Sequence, residues 1–286
     1  MSERIAFLGT GLIGGGLAVA AAARGDEVVL WNRDAAKAVA IASEIGARAT
    51  VVDDPREAIR RVGRAHLAFT DDAAVDGVLS RALDGASPVL IVDHSTTSVA
   101  GTRARAARLA TQGVAFVHAP VFMSPAMCRQ AGGLMLLAGD DAPRARALPA
   151  LEKMTGKLID CGATREKAAL LKLVGNALIF SITAGLADVY ALARANGVAA
   201  EDVRALFDVF NPTGTLTIRG KKMAAGDFTP SFALTMARKD AGLMLDAAGD
   251  EALHLLPAIV RWMDEVIADG DGGLDVGALA KRAVVG

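Results

Sequence analysis

Residues 4–14 read RIAFLGTGLIG, and this stretch decides the fold. Arg4 to Leu8 reads as a strand. Gly9-Thr10-Gly11-Leu12-Ile13-Gly14 follows at once as G-x-G-x-x-G and opens an Ala-rich helical stretch, Leu12 to Arg24. In that strand-turn-helix setting each glycine has a task. Gly9 permits the tight turn, Gly11 lets backbone approach a pyrophosphate at the positive helix end, and Gly14 permits close packing of helix on strand. The reading is a dinucleotide-binding turn; the alternative is an ordinary turn that uses glycine for its backbone freedom.

Outward from this turn, the second strand, Glu27 to Trp31, ends in Asn32-Arg33-Asp34. An Asp or Glu that would grip a ribose diol is missing at its usual distance. Asn32 is suited to hydrogen-bond the ribose, the Arg33 guanidinium to pair with a 2′-phosphate in fork geometry, and Lys37, one helical turn on, to add a second charge. The expectation is NADP(H) in preference to NAD(H). Against it stand an exposed arginine in a polar loop, and Asp34 serving a diol after a small register shift.

Further strand-like runs are His66 to Thr70, Val89 to Asp93, Ala115 to Ala119, Leu134 to Ala138 and Lys157 to Asp160. Helical stretches at Ala35 to Ile45, Asp72 to Leu83 and Gly101 to Gln112 alternate with the earlier of them. Alternation of this kind predicts an α/β domain with a parallel sheet. From Thr164 to Asn196 the chain has no proline and stays Ala- and Leu-rich, which predicts one helix of about 45 Å at 1.5 Å per residue. Ala200 to Phe210, Pro230 to Ala248 and Glu251 to Ala268 again read as helices. The division expected is a nucleotide domain over 1–162, a linking helix over 163–196 and a helical domain over 197–286.

Net charge is −1, with no block of like charges, so nucleic acid and anionic membrane are excluded as expected partners. Two distant cysteines, Cys128 and Cys161, and four scattered histidines offer neither a disulfide framework nor a metal site, which fits a reducing cytoplasm. The glycines between residues 9 and 16 argue against a secretory signal, and no later segment offers about 18 uninterrupted strongly apolar residues.

Six elements in order, FLGTGLIG, WNRD, Asp93-His94-Ser95-Thr96, AGGLMLLAGDD, Lys172 with Asn176 four residues on, and Phe232 through Lys239-Asp240, make the chain resemble the β-hydroxyacid dehydrogenase family over nearly its whole length. A looser match, TDDAAV, adds Thr70 and Asp71 as a cofactor-facing loop. The resemblance implies a Rossmann domain, a long interdomain helix, an all-α C-terminal domain, and a homodimer or homotetramer. It also implies hydride transfer between the nicotinamide cofactor and a small carbonyl or hydroxy compound such as a semialdehyde or 3-hydroxy acid. Lys172 matches the catalytic lysine, Asn176 the substrate-binding asparagine, Ser95 and Thr96 the loop beside cofactor and substrate, and Lys239 the lysine that closes over the cofactor.

The residues suit that chemistry. Carbonyl reduction creates an oxyanion, which needs a proton and positioned donors. Lys172 lies among Leu170, Leu171, Leu173 and Val174, where burial would disfavour its charged form. Asn176 shares its helix face. The plainer readings are a solvated lysine at 172, a core asparagine at 176, a surface ion pair Lys239-Asp240, and helix capping by Ser95 and Thr96. His94 and His118 read as structural imidazoles.

One departure from the resemblance matters. After Ala119-Pro120-Val121 the family usually continues Ser-Gly-Gly, which holds a substrate carboxylate, but this chain reads Phe122-Met123-Ser124-Pro125. The pocket is expected to be narrower and more apolar, with Ser124 standing in as substrate contact and Arg129 as an acid anchor. Two other functions stay open: an imine reductase on the same architecture, disfavoured by lysine at 172, and an NADP-binding sensor or scaffold without turnover. A 6-phosphogluconate dehydrogenase would need a longer helical half.

Overall fold

Strand β1 (Arg4–Leu8) sits inside a six-stranded sheet of order β3-β2-β1-β4-β5-β6, in which every pairing is parallel. Its partners are β2 (Glu27–Trp31) and β4 (Arg64–Leu67), with β3 (Ala49–Val51) at one edge and β5 (Leu90–Asp93) and β6 (Ala115–His118) beyond β4. In this computed structural model, residues 2–83 and 89–284 are described. They divide into two compact units, Met1–Asn176 and Ala177–Gly286.

The strands are buried on both faces, which is why they read as continuous apolar runs rather than alternations. On one face Ile5, Phe7, Val28, Leu30 and Val92 pack with Leu17, Ala18 and Ala21 of helix α1 (Leu12–Ala23). Helix α2 (Ala35–Ile45) adds Ala38 to that core. On the other face Ala6, Leu8, Val29 and Ile91 meet α3 (Pro55–Arg60), α4 (Asp72–Ala82) and α5 (Val99–Thr111) through Ile59, Val75, Leu79 and Leu109. Strand order reverses between β1 and β4, the place where open parallel sheets leave a crevice at their carboxyl ends.

Two of the sequence-predicted strands leave this sheet. Pro120 ends the register after β6, and the chain turns into β7 (Val121–Phe122). This strand pairs antiparallel with β8 (Leu134–Leu137), which in turn pairs parallel with β9 (Lys157–Asp160). Between them lie α6 (Pro125–Arg129) and α7 (Asp141–Leu151). The fourth strand also runs earlier than expected, over Arg64–Leu67 instead of His66 to Thr70, ending before Asp71, which already caps α4. Asp71 accepts a hydrogen bond from the Ala74 N–H as its N-cap.

Helix α8 (Lys167–Ala195) matches the long proline-free stretch. Contrary to expectation, it carries an 18-residue window of mean hydropathy 1.7 and is long and apolar enough to cross a membrane. In the second unit, α9 (Ala200–Val209), α10 (Gly220–Ala224), α11 (Leu234–Ala248), α12 (Leu256–Val266) and α13 (Lys281–Val284) follow, with a core of Phe228, Leu234, Ala241, Val260 and Met263. Two buried carboxylates organise it. Asp188 accepts from the N–H groups of His254, Leu255 and Leu256 at 2.8 Å each, capping the start of α12. Asp275 accepts from Arg219, Ser231, Phe232 and Gly277, and these donors hold its carboxyl far below the usual range. The expected starts at Pro230 and Glu251 give way to Leu234 and Leu256.

Candidate functional site

A cavity of about 810 Å³ opens at the carboxyl ends of the central strands, within the first unit. Its floor is the start of α1. Gly9 has φ +92°, and a Cβ there would lie 2.4 Å from the Ala68 carbonyl oxygen, while one on Gly14 would lie 2.0 Å from the Gly9 oxygen. Both are glycine because backbone passes where a side chain would be. Gly11 differs: nothing lies within 4 Å of its would-be Cβ, and it stands at the N-cap of α1 with no side chain capping the helix. Uncapped N–H groups beside open space form a cradle for a pyrophosphate.

Asn32 fixes this turn to the end of β2. Its Oδ1 accepts from the Thr10 N–H at 3.0 Å and its Nδ2 donates to the Asp34 carbonyl at 3.0 Å, so the amide is spent first on the backbone. Asp34 caps α2, accepting from the Ala36 N–H, a role that explains its place without a ribose. Arg33 and Lys37 are exposed along the same cavity, and Arg81 of α4 joins them, 5.9 Å from the Trp31 ring centroid.

The opposite end is built from the loop after β5. Ser95 is buried; its N–H donates to Asp93 Oδ1 and its Oγ accepts from the Phe69 N–H, each at 2.9 Å. Thr96 is exposed on the cavity. Beneath the loop lies Arg105, fully buried, reaching Asp72 at 2.9 Å, Asp76 at 3.0 Å and Asp93 at 3.5 Å. Sequence reasoning missed this arginine. An arginine among the small residues of a helical stretch was the available signal, but its three carboxylates come from two other elements, Asp72 and Asp76 from α4 and Asp93 from β5.

Histidines make a second buried chain. Arg64 Nε donates to His66 Nε2 at 3.0 Å, which puts the His66 proton on Nδ1; that nitrogen donates to His94 Nε2 at 2.8 Å, and His94 Nδ1 donates to the Ala119 carbonyl at 2.7 Å. Burial pushes His94 down to about 4 and His66 well below its usual value. Both rings are neutral, structural groups, as expected of His94, although the latter also lines the cavity.

Lys172 reaches the same cavity from α8, beside Val121 and Met123 in the lining. Its Nζ lies 3.9 Å from the Phe122 ring centroid, and burial lowers its pKa from the ordinary lysine value. Thus Gly11, Leu12, Ile13, Gly14, Asn32, Arg33, Lys37, Thr70, Ser95, Thr96 and Lys172 share one cavity. Gly9, Thr10, Asp71 and Asn176 are not among its lining residues. Ser124 is not either; its hydroxyl caps α6 through the Met127 N–H at 3.2 Å, and Arg129 pairs with Glu44. Lys239 belongs to the second unit and pairs with Asp240 at 2.8 Å. Among the described residues no cluster of three metal-ligating side chains occurs.

Residues 4–162, more than half of the chain, match the family described as the NAD binding domain of 6-phosphogluconate dehydrogenase. A Mycobacterium tuberculosis protein named "Probable 3-hydroxyisobutyrate dehydrogenase" is 31% identical over 169 residues, covering 55% of this chain and 56% of that one. The match to that relative therefore spans little more than half its length. Glyoxylate/succinic semialdehyde reductase 1 of Arabidopsis thaliana is 24% identical over 88% of each chain. An imine reductase from Pseudomonas sp. superposes with a TM-score of 0.89 over 99% of this chain and 100% of that one, at 23% identity, a likeness that carries the fold. The chain belongs to the family of the NAD-binding domain of 6-phosphogluconate dehydrogenase.

Proposed function

We infer that this chain is an NADP(H)-dependent oxidoreductase that interconverts a small carbonyl compound and its alcohol, with Lys172 as proton donor and acceptor. The observation that carries the reading is a single cavity with the open glycine cradle at Gly11, Arg33 and Lys37 along it, and a part-buried lysine in the lining. When bound, the nicotinamide supplies or accepts the hydride. The uncapped start of α1 is suited to the pyrophosphate, and Arg33 with Lys37 to a 2′-phosphate. Lys172 Nζ gives its proton to the substrate oxygen as negative charge grows there, and takes it back in the reverse direction. Thr96, in the same cavity lining, offers a hydroxyl donor.

Val121 and Met123 in the lining favour an apolar carbonyl over a short carboxylated one. NADPH oxidation, with NADH alongside, against aldehydes, ketones, semialdehydes and cyclic imines tests the reading. Carbonyl turnover that falls by about 10²–10⁴-fold in Lys172→Ala supports it. Imine reduction that survives the substitution overturns it in favour of an imine reductase, and NADPH binding without any turnover points to a sensor or scaffold.

The working form is a homodimer. Helix α8 exposes Leu178, Ile179, Phe180, Ile182, Leu186 and Val189, and an apolar helix face of this size needs a cover. A second copy of this chain supplies one.

A further inference from the structure

Phe122 lies beside Lys172, and it is held from three sides. Strand β7 fixes its backbone by pairing Phe122 with Leu134 of β8. Its ring packs against Leu136, Ala138, Cys161 and Ala168. On α8 it presses against Gly175, where a Cβ would lie 2.4 Å from Phe122 Cζ and 2.7 Å from Cε1. Gly175 is three residues beyond Lys172, so one ring bridges adjoining turns of the helix that carries the lysine. The Lys172 ammonium sits over that ring, 3.9 Å from its centroid.

We propose that Phe122 is a positioning residue for Lys172: its ring face holds the ammonium by cation–π attraction and keeps it protonated within an apolar wall of the cavity. An aromatic face is negative at its centre and attracts a cation, most strongly where water is scarce. Among the described residues Lys172 makes no hydrogen bond or ion pair, so the ring is its one polar counterweight. A carboxylate in the same place would bind the ammonium too firmly for proton transfer near neutral pH. A ring offsets part of the cost of burial without doing so.

The neighbouring ionisable groups do not account for the state of Lys172. Burial is the sole cause of its lowered pKa. In the cavity lining, His94 is neutral above about 4, and the remaining charges are Arg33, Asp34, Lys37 and Arg81. At the start of α8, Glu166 is paired with Arg103 and Lys167 adds one positive charge. From β9 and its end come Asp160, paired with Arg144, and the Cys161 thiol, which burial pushes up.

The catalytic consequence rests on reading Lys172 as the proton donor, whereas the contact with Phe122 does not. The test is an NMR titration of the full chain with isotope-labelled lysines, the Lys172 signal being assigned by its loss in Lys172→Arg. Wild type is compared with Phe122→Leu, Phe122→Tyr and 3,4,5-trifluorophenylalanine at position 122, which keeps the ring's shape but removes its negative face. The Lys172 pKa is expected to fall by about 1 unit with leucine and with the fluorinated ring, and to stay in place with tyrosine. A Lys172 that titrates at the same pH in wild type and in the fluorinated protein overturns the proposal. The pH dependence of kcat/KM for carbonyl reduction is measured on the same proteins. If the NMR value moves and the basic limb of the profile moves with it, both readings stand. If the NMR value moves and the limb does not, Phe122 holds the lysine but the lysine is not the donor.

Discussion

At the scale of single residues, the site separates groups that bind from groups that only hold shape. Among the described residues Arg33 makes no hydrogen bond or ion pair, and it is exposed along the cavity, just after β2. Arg33→Ala is expected to raise KM for NADPH by about 10–100-fold, the worth of one charge-assisted pair, and to leave KM for NADH nearly unchanged. Equal changes for both cofactors would remove the 2′-phosphate assignment. The buried histidines make a different prediction. His94 is held at about 4 against an ordinary 6.5, so on acidification the unfolded chain takes up its proton first. Stability contributed by keeping the ring neutral is full above pH 6.5 and is lost as pH falls toward 4, by about 3 kcal/mol for His94 alone. His66 and His118 shift in the same direction and add to the slope. Urea unfolding at pH 7.5 and pH 5 checks this: the loss of stability between them should shrink in His94→Gln, and an unchanged loss would assign it elsewhere.

At the scale of elements, the turn from β1 into α1 was legible in sequence because all its requirements are local. Glycines Gly9 and Gly14 answer to backbone a few ångströms away, and Gly11 answers to open space. That contrast is measurable. Gly14→Ala should lower both thermal stability and cofactor affinity, at about 1–3 kcal/mol for the overpacked contact, since backbone atoms cannot yield. Gly11→Ala should leave the melting temperature in place and lose affinity alone. Calorimetric titration with NADPH and a thermal melt of each variant distinguish the two; equal melting temperatures in both would sink the packing account of Gly14. Strand β7 and the small sheet it begins were not legible. A two-residue strand has no period, and β8 and β9 read like any buried strand of the main sheet.

At the scale of the molecule, the proposed dimer rests on the exposed apolar side chains of α8. Phe180 is 68% exposed, an unusual state for a phenylalanine in the middle of a helix. Light scattering of the wild-type chain without detergent should give twice the monomer mass, and Phe180→Asp should give monomer with a lower melting temperature. A monodisperse wild-type monomer, or a protein that needs detergent to stay in solution, would refute the dimer.

What the sequence determined by itself is whatever depends on near neighbours along the chain: the glycine turn, the runs of strand and helix in the first half, the long helix, and the i, i+4 placement of Lys172 and Asn176. These follow from dihedral preference and hydrophobic period, which a short window contains. Tertiary structure alone decided the rest. Arg105 is buried because Asp72, Asp76 and Asp93 converge on it, Asn32 is tied to the glycine turn across 22 residues, and Phe122 meets Lys172 only because β7 folds back against α8. Charges and rings separated by tens of residues leave no periodic trace, so their energies come into being only when the sheet brings them within reach.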